Sequence, residues 1–225
     1  PLFFFSLGIA LIVSWAYLRW ATPIYTVYSS MIVKVENATN IKGNDKFSSI
    51  FNPTDKINTE DEIDLMKSKE FLKRVVDSLH LNSTYIEHGK VRSSEIYKQG
   101  PFTVEPVNIV DSNRIYSFNL ELLNQNSFLI NKETKPRQMF SNFEIGGAIF
   151  RIIPNGGTEE IGGRKFTYSW SPSKAVAGSI AGRLNIAPKS RSSSVLNLSL
   201  NTLNVAKGLD ILNQVMKEYG LYNVQ

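Results

Sequence analysis

The sequence predicts an α/β (α+β) base domain with an all-β insert, preceded by one transmembrane helix. Three observations carry this. Leu2 to Leu18 (LFFFSLGIALIVSWAYL) is a run of 17 residues without a formal charge. Beyond it, the apolar residues recur first at helical spacing, then in alternation, then again at helical spacing. The alternating stretch is punctuated by Asp111-Ser112-Asn113 and Gly146-Gly147, both turn signals. The resulting organisation is a transmembrane helix at 1–20, a first part of the base domain at 21–100, a β-rich insert at 101–170 and a second part of the base domain at 171–225.

Composition narrows the function classes. The chain has 225 residues, 42% hydrophobic and 20% charged, which is globular rather than disordered usage. Its net charge of +5 is a modest excess. The absence of cysteine excludes disulfides, thiolate zinc sites and cysteine nucleophiles, and two histidines exclude a His-rich metal centre. The chain begins at Pro1 rather than Met, as expected of a piece of something longer.

Each element has its own signal. Leu2–Leu18 as a helix spans roughly 26 Å, the short end of what crosses a bilayer. Apolar residues on every face disfavour a buried core helix. Trp15, Tyr17, Arg19 and Trp20 cluster at its end as aromatic and cationic membrane-interface anchors. A cleaved signal peptide is the rival reading, but Ser14-Trp15-Ala16 is a poor cleavage site. No second apolar run of that length follows, so everything from Ala21 is expected on one side of the membrane.

Pro23 ends the helix, and Tyr25 to Val35 has the β-branched and aromatic density of a strand. Residues 37–58 are rich in Asn, Ser, Gly and Lys and read as a loop. Thr59 as N-cap with Glu62 makes a capping box, and Asp61 and Asp64 suit the positive end of the helix dipole. Glu60, Asp61, Glu62 and Asp64 form a solvated first turn rather than a metal cluster. Leu65, Met66, Leu72, Val75, Val76 and Leu79 continue that helix to about Asn82.

Strands are expected at Phe102–Val110, Ile115–Leu122, Phe128–Lys132, Phe143–Ile153 and Lys165–Trp170. Tyr116, Phe118, Leu120 and Leu122 alternate with polar residues, so that strand buries one face. Ser171 or Ser173 caps a helix running to about Arg183, whose small residues permit close backbone approach. Pro188 to Ser194 is polar, Val195 to Asn201 alternates as a strand, and Asn204 caps a final helix bearing Val205, Leu209, Leu212, Met216 and Tyr219.

The search for chemistry is mostly negative. Gly156 to Lys165 fails the phosphate-loop pattern, because Gly163 follows Gly162 and Phe166 follows Lys165, and it lies between strands. His80 and His88 have no carboxylates at metal-ligand spacing. There is no G-x-S-x-G elbow, and spacing alone singles out no carboxylate pair. The basic residues of Lys132–Arg137 and Lys189–Arg191 lack stacking aromatics, so no nucleic-acid partner is expected. No catalytic residue, cofactor or metal is expected in this segment.

Segment order carries the remaining information. The apolar helix running through Thr22-Pro23-Ile24-Tyr25 into a strand resembles the entry to the periplasmic domain of chain-length determinant (Wzz-type) polysaccharide co-polymerases. Asp61 to Leu72 is similar to that family's acidic–aliphatic–"lysine-serine" helix. Ser94 to Lys98 followed by Gly100-Pro101-Phe102 resembles the entry to the insert of exopolysaccharide-type members, which are related to bacterial tyrosine autokinases. Ala206 to Asn213 through Tyr219 resembles their closing helix, with Val205 standing where the family often has proline.

The resemblance implies a membrane-anchored periplasmic scaffold, in the bacterial inner membrane, that regulates polymerisation, chain length and export of capsular or exopolysaccharide. It implies a homo-oligomeric ring, and as partners the membrane lipid, a polysaccharide polymerase and the growing glycan. It also implies a parent with a second transmembrane helix and, in larger members, a cytoplasmic tyrosine autokinase. The exposed sides of the Thr59–Leu79 and 205–222 helices, with Lys67, Lys73, Arg74, Lys207, Asp210 and Glu218, are the expected contact faces between copies. The alternatives are a periplasmic sensor or adaptor domain of a membrane signalling protein, and a membrane-tethered glycan hydrolase.

Overall fold

The computed structural model describes residues 2–21, 23–33, 59–89, 91–131, 133–156, 162–190 and 193–222. The first elements are α1 (Leu2–Trp20), β1 (Tyr25–Ile32), α2 (Thr59–Lys67) and α3 (Lys69–Leu79). Nine strands follow: β2 (Ser83–His88), β3 (Ser93–Ile96), β4 (Phe102–Asn108), β5 (Tyr116–Leu122), β6 (Ser127–Ile130), β7 (Arg137–Gln138), β8 (Asn142–Ile145), β9 (Ala148–Pro154) and β10 (Lys165–Trp170). The chain continues through α4 (Ser173–Arg183), β11 (Leu184–Pro188), β12 (Val195–Thr202) and α5 (Val205–Tyr222). The fold is thus mixed helix and sheet with one N-terminal apolar helix. It divides into two compact units, Thr26–His80 with Ser173–Gln225, and Pro1–Tyr25 with Leu81–Pro172.

In the first of these units the sheet has the order β1-β12-β11. Val33 N–H donates to Ser194 O at 2.8 Å and Thr26 meets Asn201 at 2.8 Å, so β1 runs antiparallel to β12. The alternation read in the sequence places Leu196, Leu198 and Leu200 inward and Asn197 and Asn201 outward. Helices α4 and α5 pack on β12, and α3 packs on α4 and α5. Asn204 caps α5, its Oδ1 accepting from Lys207 N–H at 3.1 Å.

Two features of this unit depart from the sequence reading. The expected single helix from Thr59 breaks at Ser68, whose extended backbone (φ −63°, ψ 144°) ends α2 and whose Oγ accepts from Phe71 N–H to cap α3. Serine competes for backbone hydrogen bonds, which makes it a natural place to restart a helix. Leu184–Pro188, to which the sequence reading gives no element before Pro188, is a strand, with Leu184 and Ile186 buried and the strand packed on α2 and α4. The loop expected at 37–58 lies outside the described residues.

The strand-rich unit has a six-stranded sheet, β3-β2-β10-β5-β6-β7, and a three-stranded sheet, β4-β9-β8. Their inner faces share one buried cluster that includes Phe118, Phe128, Phe143, Phe150, Phe166 and Tyr168. Pro106 sits on the edge strand β4, beside the register shift between Pro106 and Asn108, where a missing N–H costs least. The run expected as one strand from Phe143 to Ile153 folds back on itself at Gly146 and Gly147, both at positive φ. β2 and β3, absent from the sequence reading, pair in the same six-stranded sheet, with Ser83 opposite Trp170 and Tyr85 opposite Tyr168.

Tyr168 Oη lies 2.9 Å from Ser83 Oγ, and Tyr85 Oη accepts from Val104 N–H at 3.0 Å. Burial pushes both phenols above their ordinary pKa of 10.0, outweighing the hydrogen bond that Ser83 supplies. In the folded state they stay protonated while the unfolded chain ionises. Their contribution to stability is therefore full below pH 10 and is lost as the pH rises through the folded pKa. Denaturant midpoints are expected to fall steadily above pH 10, with tyrosinate absorbance from these two rings rising only as the unit unfolds, and Tyr168→Phe should make the fall shallower. A midpoint flat across that range would contradict it.

Candidate functional site

The clearest functional candidate is α1. From Leu2 to Val13 the large apolar side chains stand exposed on all sides, Leu2 at 83% and Phe4 at 75%. The window Leu2–Arg19 has a mean hydropathy of 1.8 and none of it is buried. Ten Leu, Ile, Phe and Val residues lie between Leu2 and Leu18. Moving them from water to hydrocarbon is worth roughly 3–6 kcal/mol on an insertion scale. The helix closes its own backbone hydrogen bonds, and the Ser6 hydroxyl donates to Phe3 O at 2.9 Å, so neither opposes burial in lipid.

The residues read in the sequence as interface anchors lie at the polar end of α1. The Arg19 guanidinium lies over the Trp15 ring, 5.5 Å from its centroid, and Tyr17 is exposed. Trp20 is the last helical residue, and its side chain lies outside the described residues. Trp15, Leu18 and Arg19 also line an open cavity of about 410 Å³ together with Val91 and Arg92 from the β2–β3 connection. Sequence reasoning missed Val91 and Arg92, because nothing in local spacing links residue 19 to residue 92.

The other chemical candidates resolve into structure. His88 Nε2 lies 2.7 Å from Thr167 Oγ1, which itself donates to Asn119 Oδ1, and His88 Nδ1 lies 3.0 Å from Ser93 Oγ. This is a chain of cross-strand polar pairs on the exposed side of the six-stranded sheet. His80 ends α3 in the left-handed conformation, with φ 53°. Among the described residues no three His, Cys, Asp or Glu side chains converge as a metal site. Residues 157–161 of the glycine-rich stretch lie outside the described residues. The segment after them is pinned to β5, Gly163 N–H donating to Leu122 O at 2.7 Å, and Arg164 Nε meets Glu87 Oε1 at 2.6 Å.

On the helix faces expected to meet other copies, Lys73 pairs with Asp77 at 3.2 Å. Glu218 accepts from Ser78 Oγ at 3.1 Å and from Gln214 Nε2 at 2.8 Å, which ties it to the neighbouring helix α3. Exposed pairs such as Lys73–Asp77 set orientation more than stability.

No family model matches the chain, and no curated protein matches it. Several solved structures do. One is a crystal structure of Xanthomonas campestris FlgL, 9% identical, with a TM-score of 0.24; the match covers 61% of this chain and 41% of that chain. The chain thus spans less than half the length of that structure. A superposition this loose carries no argument about fold or function.

Proposed function

We propose that this chain is a membrane-anchored scaffold of the chain-length determinant type, an α/β base domain with a β insert held at the periplasmic face of a bacterial inner membrane. In this reading it performs no catalysis. It sets the polymerisation, modal length and export of a capsular or exopolysaccharide by assembling as a homo-oligomer around a polysaccharide polymerase and its growing glycan.

The observation that carries the reading is the order of segments. An apolar helix of bilayer length runs within five residues into β1, an edge strand of a helix-and-sheet unit, and that unit is interrupted in sequence by a strand-rich one. The family-like motifs also fall on defined elements: Asp61–Leu72 spans the α2–α3 break, and Ala206–Asn213 lies on α5.

Deleting the parent gene should shift the modal length of exported polysaccharide, and re-expressing it should restore that length. An unchanged length distribution would overturn the scaffold. In spheroplasts the region 21–225 should be cut by externally added protease, and protection would overturn the periplasmic placement.

A further inference from the structure

The cavity at the polar end of α1 has a one-signed chemistry. Of the five described residues that line it, Arg19 and Arg92 are cations, Trp15, Leu18 and Val91 are apolar, and none is a carboxylate. With 19 residues α1 is about 28 Å long, close to the roughly 30 Å hydrocarbon thickness of a bilayer. Arg19 therefore sits at headgroup depth once α1 is inserted. The Arg19 guanidinium carbon lies 5.5 Å from the Trp15 ring centroid, and a guanidinium presents a planar fork of N–H donors that suits a phosphate.

Arg92 is brought there by a tightly closed hairpin. His88 and Ser93 face each other across β2 and β3 and meet at 3.0 Å. A Cβ on Gly89 would lie 2.7 Å from Arg92 O, so the turn closes hard against the residue that presents the second guanidinium.

We propose that this cavity binds one anionic phospholipid, its phosphate between Arg19 and Arg92 and its upper acyl chain along Leu18 and Val91. Two guanidinium groups, with no carboxylate among the described lining residues, favour a net negative headgroup over a zwitterionic one. The three apolar linings favour a lipid over a free anion. The proposal rests on the membrane reading of α1.

The test uses the full chain reconstituted into phosphatidylcholine vesicles containing a minority of phosphatidylglycerol. Flotation reports insertion, and native mass spectrometry after gentle extraction counts the lipids retained. Phosphatidylglycerol should be enriched over its bulk share by roughly fivefold or more, a scale set by one basic group at a membrane surface. Arg92→Gln should bring the retained ratio back to the bulk value, and Arg92→Lys should keep most of the enrichment. Arg92 lies outside α1, so flotation and far-ultraviolet circular dichroism should be unchanged in both variants. Retention in bulk proportion, or enrichment that survives Arg92→Gln, would overturn the lipid site while leaving the anchor intact. A chain that does not float at all would overturn the anchor and the lipid site with it.

Discussion

Replacing Phe150 by alanine should destabilise the strand-rich unit by about 3–5 kcal/mol, the usual range for a fully buried aromatic. Phe150 is 0% exposed on β9. Its ring centroid lies 5.6 Å from that of Phe118, 5.8 Å from Tyr168, 6.0 Å from Tyr116 and 6.2 Å from Phe143. These partners come from both sheets, so the truncation removes a shared contact and leaves a void between two layers held by strand pairing. Neither sheet can collapse into it without shifting register, which keeps the cavity cost high. The loss is readable in isolation. Of the three tryptophans, Trp15 and Trp20 lie on α1 and can be changed to phenylalanine. Trp170 then remains as the single reporter, 5.9 Å from the Tyr116 ring. A loss below about 1.5 kcal/mol, the scale of a volume-conserving swap, would mean that the two sheets do not share this core.

Gly208→Leu should cost the helix-and-sheet unit about 3 kcal/mol, the upper end of ordinary overpacking. Gly208 is buried on α5, and a Cβ there would stand 2.7 Å from Thr202 Cγ2 and 2.9 Å from Val27 Cγ2. Both neighbours are β-branched and cannot swing aside cheaply. Thr202 is further fixed by its hydroxyl, which donates to Asn204 O at 3.0 Å and accepts from Asn204 N–H at 3.2 Å. Even alanine should fail to stabilise, although it is favoured over glycine in a helix interior by about 1 kcal/mol. Thr202→Ser removes the clashing methyl and keeps the hydroxyl. In that background Gly208→Ala should cost less than in the unmodified chain, although Val27 Cγ2 at 2.9 Å still opposes the Cβ, and a double-mutant cycle in urea unfolding would measure the coupling. If Gly208→Ala stabilises the unmodified chain, α5 does not pack on β1 and β12 as described.

What the sequence disclosed and what it hid follow from how local each signal is. β5 and β12 alternate cleanly because each buries one face of its sheet, and α5 shows its apolar stripe because only one side packs inward. β2 carries no such pattern. All of Ser83–Glu87 is half-buried and only His88 is exposed, so its assignment depends on β10, some 80 residues away. β11 is five residues long and follows α4 directly, so its Leu-x-Ile alternation is too short to stand apart from the helix before it. The break at Ser68 leaves the helical spacing of the apolar residues intact, and for that reason periodicity alone passes over it. At the C-terminal end of α1, Trp15, Tyr17 and Arg19 stand out in the sequence by their place after an apolar run. Arg92 does not, because only the hairpin between β2 and β3 brings it near them.

The way the chain enters and leaves the strand-rich unit has a mechanical meaning. Ser171 N–H donates to Asn82 O at 2.8 Å, Asn82 Nδ2 donates to Ser171 O at 2.9 Å, and Ser83 pairs with Trp170 on the adjacent antiparallel strands. The two ends are therefore about 5 Å apart, one strand spacing. Tension arriving through residues 82 and 171 would load the β2–β10 ladder one rung at a time, from Ser83–Trp170 towards His88–Lys165, instead of shearing all six rungs at once. This unit would yield to a pulling force like a zipper, at low load and from a fixed end. The Asn82–Ser171 clasp is the first bond to feel that load.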